Sequence, residues 1–320
     1  MSNHGHLVVI ARFLLPAGLD PLSERFEVRE GGLDATRELI LELVPGASGL
    51  VPDSSVPVDA ELLDACGDDL RVVANFAVGY DNVDLEACRE RGVIVTNTPD
   101  VLTEATAELA LALTLAAARR MGDAERDLRA GRWRGWDPAA YRGLEIGGAT
   151  VGVVGLGRIG HRYARLARGL GAEIVYAAPT AKPEAESELG ARRLPLAELL
   201  EASDVVSLHA PANPETRGLI GAAEVAAIGP DGVLVNTSRG PLVDADAVAS
   251  GLEAGTLGAA GLDVYDGEPN VPQSLLEAPR CVLLPHIGSA TVPSRDGMAR
   301  AVADNVIAVL EGGEPPSRVV

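Results

Sequence analysis

The sequence predicts an α/β chain of two doubly wound parallel-sheet domains, the second inserted into the first. Its 320 residues, 47% of them hydrophobic, suffice for about two domains with sizeable cores. Short apolar runs alternate with helical patterns on both sides of residue 150, which is the rhythm of βαβ units. The run Val151-Gly-Val-Val-Gly-Leu-Gly-Arg-Ile-Gly160, a strand turning through three glycines into a helix, stands in mid-chain with such a rhythm already before it.

In chain order, the first half reads as strands at Leu7–Ala11, Gly49–Val51, Leu70–Phe76 and Val93–Thr96, with helices at Asp59–Ala65 and Asp84–Arg91. After Pro99 a helical pattern runs from Thr103 to about Ala130. Its Leu109–Ala118 section is apolar on nearly every face and is expected to be buried all round, as a connection between domains or the lining of an oligomer interface. From Thr150 the rhythm restarts, with strands at Val151–Val154, Glu173–Ala177, Asp204–Leu208, Gly232–Asn236, Ala259–Val264 and Cys281–Leu284, which suits a doubly wound sheet. A last helix, about Pro293 to Leu310, is long enough to cross back. The expected inserted domain is 101–287, within a domain formed by 1–100 and completed by 288–320. Hinges are expected near Thr98–Leu102 and Gly288–Pro293.

A net charge of −19 argues against nucleic acid, whose phosphates require clustered Lys and Arg. Cys66, Cys88 and Cys281 are odd in number and far apart, with no close Cys/His pair, so reduced thiols in a cytoplasmic protein and no metal site are expected. The N-terminus lacks the basic start of a signal peptide, and Leu109–Ala118 falls short of the ~20 residues that span a bilayer. No membrane role is expected, and His4 and His6 read as a solvated tail.

The glycines of the central run differ in what they permit. Gly155 allows the bend, Gly157 lets the backbone approach a pyrophosphate, and Gly160 lets helix and strand pack closely. The phosphate would rest on the helix N-terminus. Glycine turns also close ordinary strand-to-helix corners. Here the amphipathic His161–Leu170 stretch, the Gly171 stop and the second strand favour a dinucleotide unit.

In such a sheet, ligands gather beyond the C-terminal strand ends. Arg239 follows one strand, Glu268 another and His286 a third. An arginine can grip a carboxylate with two parallel hydrogen bonds, and a histidine oriented by a carboxylate can move a proton near neutral pH. Taken singly, each also reads as an ion-pair partner, a turn acid or a core histidine; jointly those readings fare worse. His209 also ends a strand, without a partner acid nearby, and reads as structural or as a cofactor edge.

The motifs Asn75-Phe-Ala-Val-Gly-Tyr-Asp-Asn-Val-Asp84, Thr96-Asn-Thr-Pro-Asp-Val-Leu-Thr-Glu-Ala-Thr-Ala-Glu-Leu-Ala110, Gly155-Leu-Gly-Arg-Ile-Gly160 and Asn236-Thr-Ser-Arg-Gly240 occur in order. Gly261-Leu-Asp-Val-Tyr265, Gly267-Glu-Pro269 and Pro285-His-Ile-Gly-Ser-Ala-Thr291 follow. On these residues the chain, from about 45 to 315, resembles the D-2-hydroxyacid dehydrogenase family, most closely its glyoxylate and hydroxypyruvate reductases. The resemblance implies a Rossmann domain inserted into a flavodoxin-like substrate domain, and hydride transfer between NAD(P)(H) and a small 2-oxo or 2-hydroxy acid. It implies that Arg239 binds the substrate carboxylate, with the backbone of Val78 and Gly79, and that His286, paired with Glu268, protonates the carbonyl oxygen. Thr106 and Asp263 match positions at the nicotinamide end, and Arg158 and Ile159 match the pyrophosphate turn. His209, Pro211, Thr237, Ser238 and Gly288 complete the expected cofactor contacts. Trp133 and Trp136 match a segment that related reductases place at a dimer interface, with packing within the chain as the alternative; a homodimer is expected.

An acid ending the second strand of the unit would select NAD. The position here is Ala178, in Ala178-Pro-Thr180, which departs from that rule and from the Ser-Arg-Thr of NADP-preferring relatives. With no acid to repel a phosphate, and with Thr180 and the sole lysine, Lys182, nearby, the reading favours NADP(H); Arg192 and Arg193 are further candidates. Alternative functions on this scaffold are phosphoglycerate or phosphite dehydrogenase, or a non-catalytic NAD(H)-sensing protein of the corepressor type.

Overall fold

The computed structural model describes residues 5–320, so His4 lies outside the described residues. The chain forms two compact units: residues up to Leu102 together with Ser289–Val320, and Thr103–Gly288.

In the first unit β1 (Leu7–Ile10), α1 (Pro16–Ser23), β2 (Glu27–Glu30), α2 (Arg37–Leu43), β3 (Gly49–Val51), α3 (Ala60–Cys66), β4 (Val72–Ala74), α4 (Leu85–Glu90) and β5 (Ile94–Thr96) follow in order. The strands form one parallel sheet, β2-β1-β3-β4-β5, the flavodoxin-like order. Both faces are covered, which is why β1, β3 and β4 read as unbroken apolar runs. Leu7 and Val9 pack toward Leu62, Leu63 and Cys88, whereas Val8 and Ile10 pack toward Val302 and Val306 of the C-terminal helix Val292–Leu310. The side chains of Thr36, Asp59 and Asp84 cap α2, α3 and α4 by accepting the N–H groups of Leu39, Leu62 and Ala87.

The strand β2 and helices α1 and α2 go beyond the sequence-based expectation. The edge strand β2 is mostly exposed Glu-Val-Arg-Glu without apolar alternation, and α1 carries Pro21 and Gly18, which read as breakers. His6 departs from the expected solvated tail: its Nδ1 lies 3.1 Å from Ser48 Oγ and its ring meets Phe26 edge-on.

The second unit contains α5 (Thr103–Ala118), α6 (Met121–Arg129), β6 (Thr150–Val154), α7 (Arg158–Gly169), β7 (Glu173–Ala177), α8 (Pro183–Leu189), β8 (Arg192–Arg193) and α9 (Leu196–Ala202). It continues through β9 (Val205–Leu208), α10 (Ala222–Ile228), β10 (Val233–Asn236), α11 (Ala245–Ala254), β11 (Ala259–Leu262), α12 (Gln273–Glu277) and β12 (Cys281–Leu283). Seven parallel strands run β12-β11-β10-β9-β6-β7-β8, one more than expected, the addition being the two-residue edge strand β8. The chain reverses its direction of travel across the sheet between β6 and β9, the switch point where such sheets bind ligands.

The single long helix expected from Thr103 to about Ala130 is two helices. Arg120 adopts the left-handed conformation (φ 52°), and the carbonyl of Ala118 accepts the N–H of Leu144 at 2.9 Å instead of continuing the helix. Within the single chain the burial of α5 is one-sided: Ala107, Ala110, Leu113 and Ala117 are buried against the sheet and α7, whereas Ala112 is exposed and Leu109, Leu111 and Leu115 are half-buried. Among the described residues no α6 side chain is buried, no helix is long and apolar enough to cross a membrane, and no group of three or more His, Cys, Asp or Glu could hold a metal ion.

Candidate functional site

The glycine turn joins β6 to α7. Gly155 has φ 90°, and a Cβ there would stand 2.7 Å from the backbone of His209 and Ala210, so both conformation and close approach require glycine. A Cβ on Gly160 would stand 2.2 Å from the Gly155 carbonyl oxygen, which seats the first turn of α7 directly on the bend. Gly157, by contrast, faces open space and precedes α7 without a side-chain cap. The first N–H groups of α7, from Arg158, Ile159 and Gly160, therefore point where an anion fits.

Beside this turn lies a cavity of about 600 Å³ at the C-terminal ends of β6, β7 and β9. Val154, Leu194, Pro195, Leu196 and Leu219 give it an apolar lining, and Gly155, Ala178, Pro211 and Arg193 also border it. Thr180 and Lys182 are not among its lining residues. The His209 backbone packs on Gly155, while its ring lies 4.9 Å from that of Tyr163 and its Nε2 lies 2.9 Å from Ser207 Oγ. Burial pushes the His209 imidazole down to about 3, so it is neutral at ordinary pH.

At the end of β10, Asn236 shapes the arginine turn: its Oδ1 accepts the Ser238 N–H and its Nδ2 donates to the Arg239 carbonyl. Ser238 Oγ donates to the Ala210 carbonyl at 2.5 Å, tying this turn to the end of β9. Thr237 Oγ1 is buried and has no hydrogen-bond partner among the described residues. Gly240 lets the turn touch the next strand end: a Cβ there would overlap Tyr265, at 1.9 Å from its carbonyl carbon.

His286 Nδ1 lies 2.7 Å from Glu268 Oε2, and Glu268 Oε1 accepts the Tyr265 N–H at 2.8 Å. Burial works to raise the Glu268 carboxyl. The His286 hydrogen bond, the Tyr265 N–H and the charges of His286 and Arg239 outweigh it and hold the group below the usual carboxylate range. The three residues singled out in the sequence thus share one electrostatic site. His286 has φ 52° and is fixed there from beneath: its N–H donates to the Asp263 carbonyl, and the buried Asp263 carboxylate accepts the N–H groups of Ile287 and Gly288, both at 2.8 Å. Burial raises the Asp263 carboxyl despite those two N–H groups and the His286 charge. Thr106 lies against the same corner, its Oγ1 3.7 Å from the position of a Cβ on Gly288.

In the first unit, the Val78 and Gly79 carbonyls accept hydrogen bonds from Asn97 Nδ2 and Asn75 Nδ2, both at 2.8 Å. Their N–H groups make no hydrogen bond among the described residues and are available to an anion. Sequence reasoning names Tyr265 and Asn236 within motifs but gives them no role, and it passes over the Leu194-Pro195-Leu196 wall. The first two act by hydrogen bonds that only the fold creates, and the wall carries the signal of an apolar run after a charged pair.

Residues 111–288 match the family described as D-isomer specific 2-hydroxyacid dehydrogenase, NAD binding domain. The chain is 44% identical to a glyoxylate reductase of Thermococcus onnurineus over 98% of its own length and 95% of that protein's. It is similar to the crystal structure of an NADPH-dependent glyoxylate/hydroxypyruvate reductase of Sinorhizobium meliloti in complex with NADP and malonate, with a TM-score of 0.88 and 37% identity over 99% of this chain and 97% of that one. A glyoxylate reductase from Paecilomyes thermophila gives a TM-score of 0.88 at 33% identity, with 98% of each chain covered.

Proposed function

The chain belongs to the D-isomer specific 2-hydroxyacid dehydrogenase family, and from that membership we propose that it reduces glyoxylate and hydroxypyruvate to the corresponding 2-hydroxy acids. The observation that carries the chemistry is the 2.7 Å contact between His286 and Glu268 within the electrostatic reach of Arg239.

A nicotinamide dinucleotide, when bound, supplies the hydride. The residues present suit it: the open side of Gly157 and the uncapped start of α7 suit the pyrophosphate, the apolar cavity suits the adenosine half, and Thr237 Oγ1 offers an unpartnered hydroxyl. Arg158, Ile159, His209, Pro211, Ser238, Asp263 and Gly288 belong to this reading as neighbours of that path. We assign dinucleotide binding to the second unit and substrate recognition in part to the first.

Arg239 holds the substrate carboxylate through its guanidinium fork. In the first unit, the N–H groups of Val78 and Gly79, which make no hydrogen bond among the described residues, are donors for an anion. With Nδ1 engaged by Glu268, His286 keeps its transferable proton on Nε2 and delivers it to the carbonyl oxygen as that oxygen becomes an alkoxide. In the reverse direction the same nitrogen takes the proton. Glu268 holds the ring in one orientation, and Asp263 holds the backbone on which the ring stands.

The exposed Trp133 and Trp136 belong to a contact with a second copy of the chain in this reading. A cytoplasmic setting is supported by three free, buried cysteines. The deciding experiment follows the absorbance of NADPH and NADH with glyoxylate, hydroxypyruvate and larger 2-oxo acids. Turnover on the two small acids is expected, and binding of dinucleotide without turnover of any acid would favour a sensor over an enzyme.

A further inference from the structure

The end of β7 lacks the acid that would receive the ribose hydroxyls of NAD, and Ala178, which stands there, has no polar side chain. The neighbouring strand supplies a cation at the same place. β8 is only Arg192–Arg193, paired parallel to β7 with Arg193 opposite Tyr176. The Arg193 guanidinium folds over the end of β7: Nε and Nη2 donate to the Ala178 carbonyl at 3.1 and 2.9 Å, and Nη2 donates to the Pro179 carbonyl at 2.7 Å. No carboxylate pairs with it among the described residues, and Nη1 donates no hydrogen bond there. The side chain borders the 600 Å³ cavity and directly precedes its Leu194-Pro195-Leu196 wall.

We propose that Arg193 is the specificity residue that holds the 2′-phosphate of NADP(H), an assignment that rests on the dinucleotide reading above. Two nitrogens are fixed on backbone carbonyls, so the guanidinium is pre-positioned and loses little freedom when a phosphate meets the remaining one. The charge is at the rim of the cavity suited to the adenosine half, which is where a 2′-phosphate projects. Lys182, the sole lysine, is placed differently. Its backbone N–H is held by Tyr176 Oη at 2.8 Å at the start of α8, and it does not line the cavity.

Calorimetric titration with NADPH, NADH and adenosine 2′,5′-bisphosphate tests this by binding alone. The unaltered chain is expected to prefer NADPH. Arg193→Ala is expected to weaken NADPH and the bisphosphate by about 10- to 100-fold, the worth of a charge-assisted phosphate contact, and NADH by less than ~2-fold. Arg193→Gln retains donors for the two carbonyls without the charge and is expected to lose most of the NADPH preference as well. Equal weakening of both dinucleotides would assign Arg193 to adenine stacking and overturn the proposal. So would a selective NADPH loss in Lys182→Ala with Arg193→Ala neutral, or a preference of the unaltered chain for NADH. If neither dinucleotide binds the unaltered chain, the cofactor reading itself fails, an outcome distinct from all of these.

Discussion

His286 Nδ1 stands 2.7 Å from Glu268 Oε2, while the other Glu268 oxygen is taken by the Tyr265 N–H, so the carboxylate has one orientation and imposes it on the ring. His286→Ala removes the proposed proton carrier and is expected to lower kcat by about 10²–10⁴-fold with a smaller change in KM. Glu268→Gln keeps an oxygen for Tyr265 but loses the charge, and is expected to lower kcat by roughly 10-fold or more while the folded structure survives. Steady-state kinetics with glyoxylate check both. An unchanged kcat in His286→Ala removes that residue from proton transfer.

Asp263 reads in the sequence as a cofactor contact, and its carboxylate accepts the N–H groups of Ile287 and Gly288 directly below the His286 ring. Asp263→Ala leaves those groups without their acceptor and is expected to cost about 2–4 kcal/mol of stability, since each buried unsatisfied donor costs on the order of 1–3. Asp263→Asn, which keeps one acceptor, is expected to fall between the two. Chemical denaturation measures the difference. Wild-type stability in Asp263→Ala would mean that this corner is held by other contacts.

Much of the fold is legible in the sequence because two-sided burial writes β1, β3, β4 and β6 as apolar runs, and because the glycine turn has sterically forced residues. The exposed edge strands β2 and β8 are not, since a strand bonded on one side needs no apolar pattern. The break after Ala118 is hidden as well: Arg119 and Arg120 are good helix formers, and only a tertiary hydrogen bond from Leu144 reveals the stop. The three chemical side chains stand out by their places after strands. Arg193 is visible only as one of a pair, because its fold over β7 depends on strand pairing.

The glycine turn separates folding from binding within four residues. Gly160→Ala puts a methyl group 2.2 Å from the Gly155 carbonyl oxygen and is expected to lower the thermal transition, since neither backbone segment can move freely. Gly157→Ala meets nothing within 4 Å and is expected to leave the transition unchanged while weakening both dinucleotides by about 10-fold through crowding of the pyrophosphate. Thermal scans paired with titrations distinguish the two. Equal dinucleotide affinity in Gly157→Ala would place the pyrophosphate elsewhere.

His209 gives a pH dependence of definite sign. Its folded-state value is depressed to about 3, whereas an unfolded histidine titrates near about 6.5. Below about 6.5 the unfolded chain binds a proton that the folded chain refuses, so stability falls as pH drops through that window and is unaffected above it. His209→Gln, which keeps a polar group near Ser207, is expected to flatten the decline between about pH 6.5 and 5. Denaturation curves across that range check it, and identical slopes in the two chains would remove His209 as the source.

Trp136 is 87% exposed and Trp133 59%, in a segment that follows α6, a helix without a buried side chain. Each tryptophan presents an area on the order of 200 Å² that is costly to leave in water, and such residues dominate interfaces when covered. If a second copy of the chain covers them, sedimentation velocity is expected to show a dimer, and the Trp133→Ser/Trp136→Ser double variant is expected to shift it toward monomer without loss of secondary structure. A monomeric unaltered chain, or a dimer indifferent to the substitutions, would exclude these tryptophans from the interface.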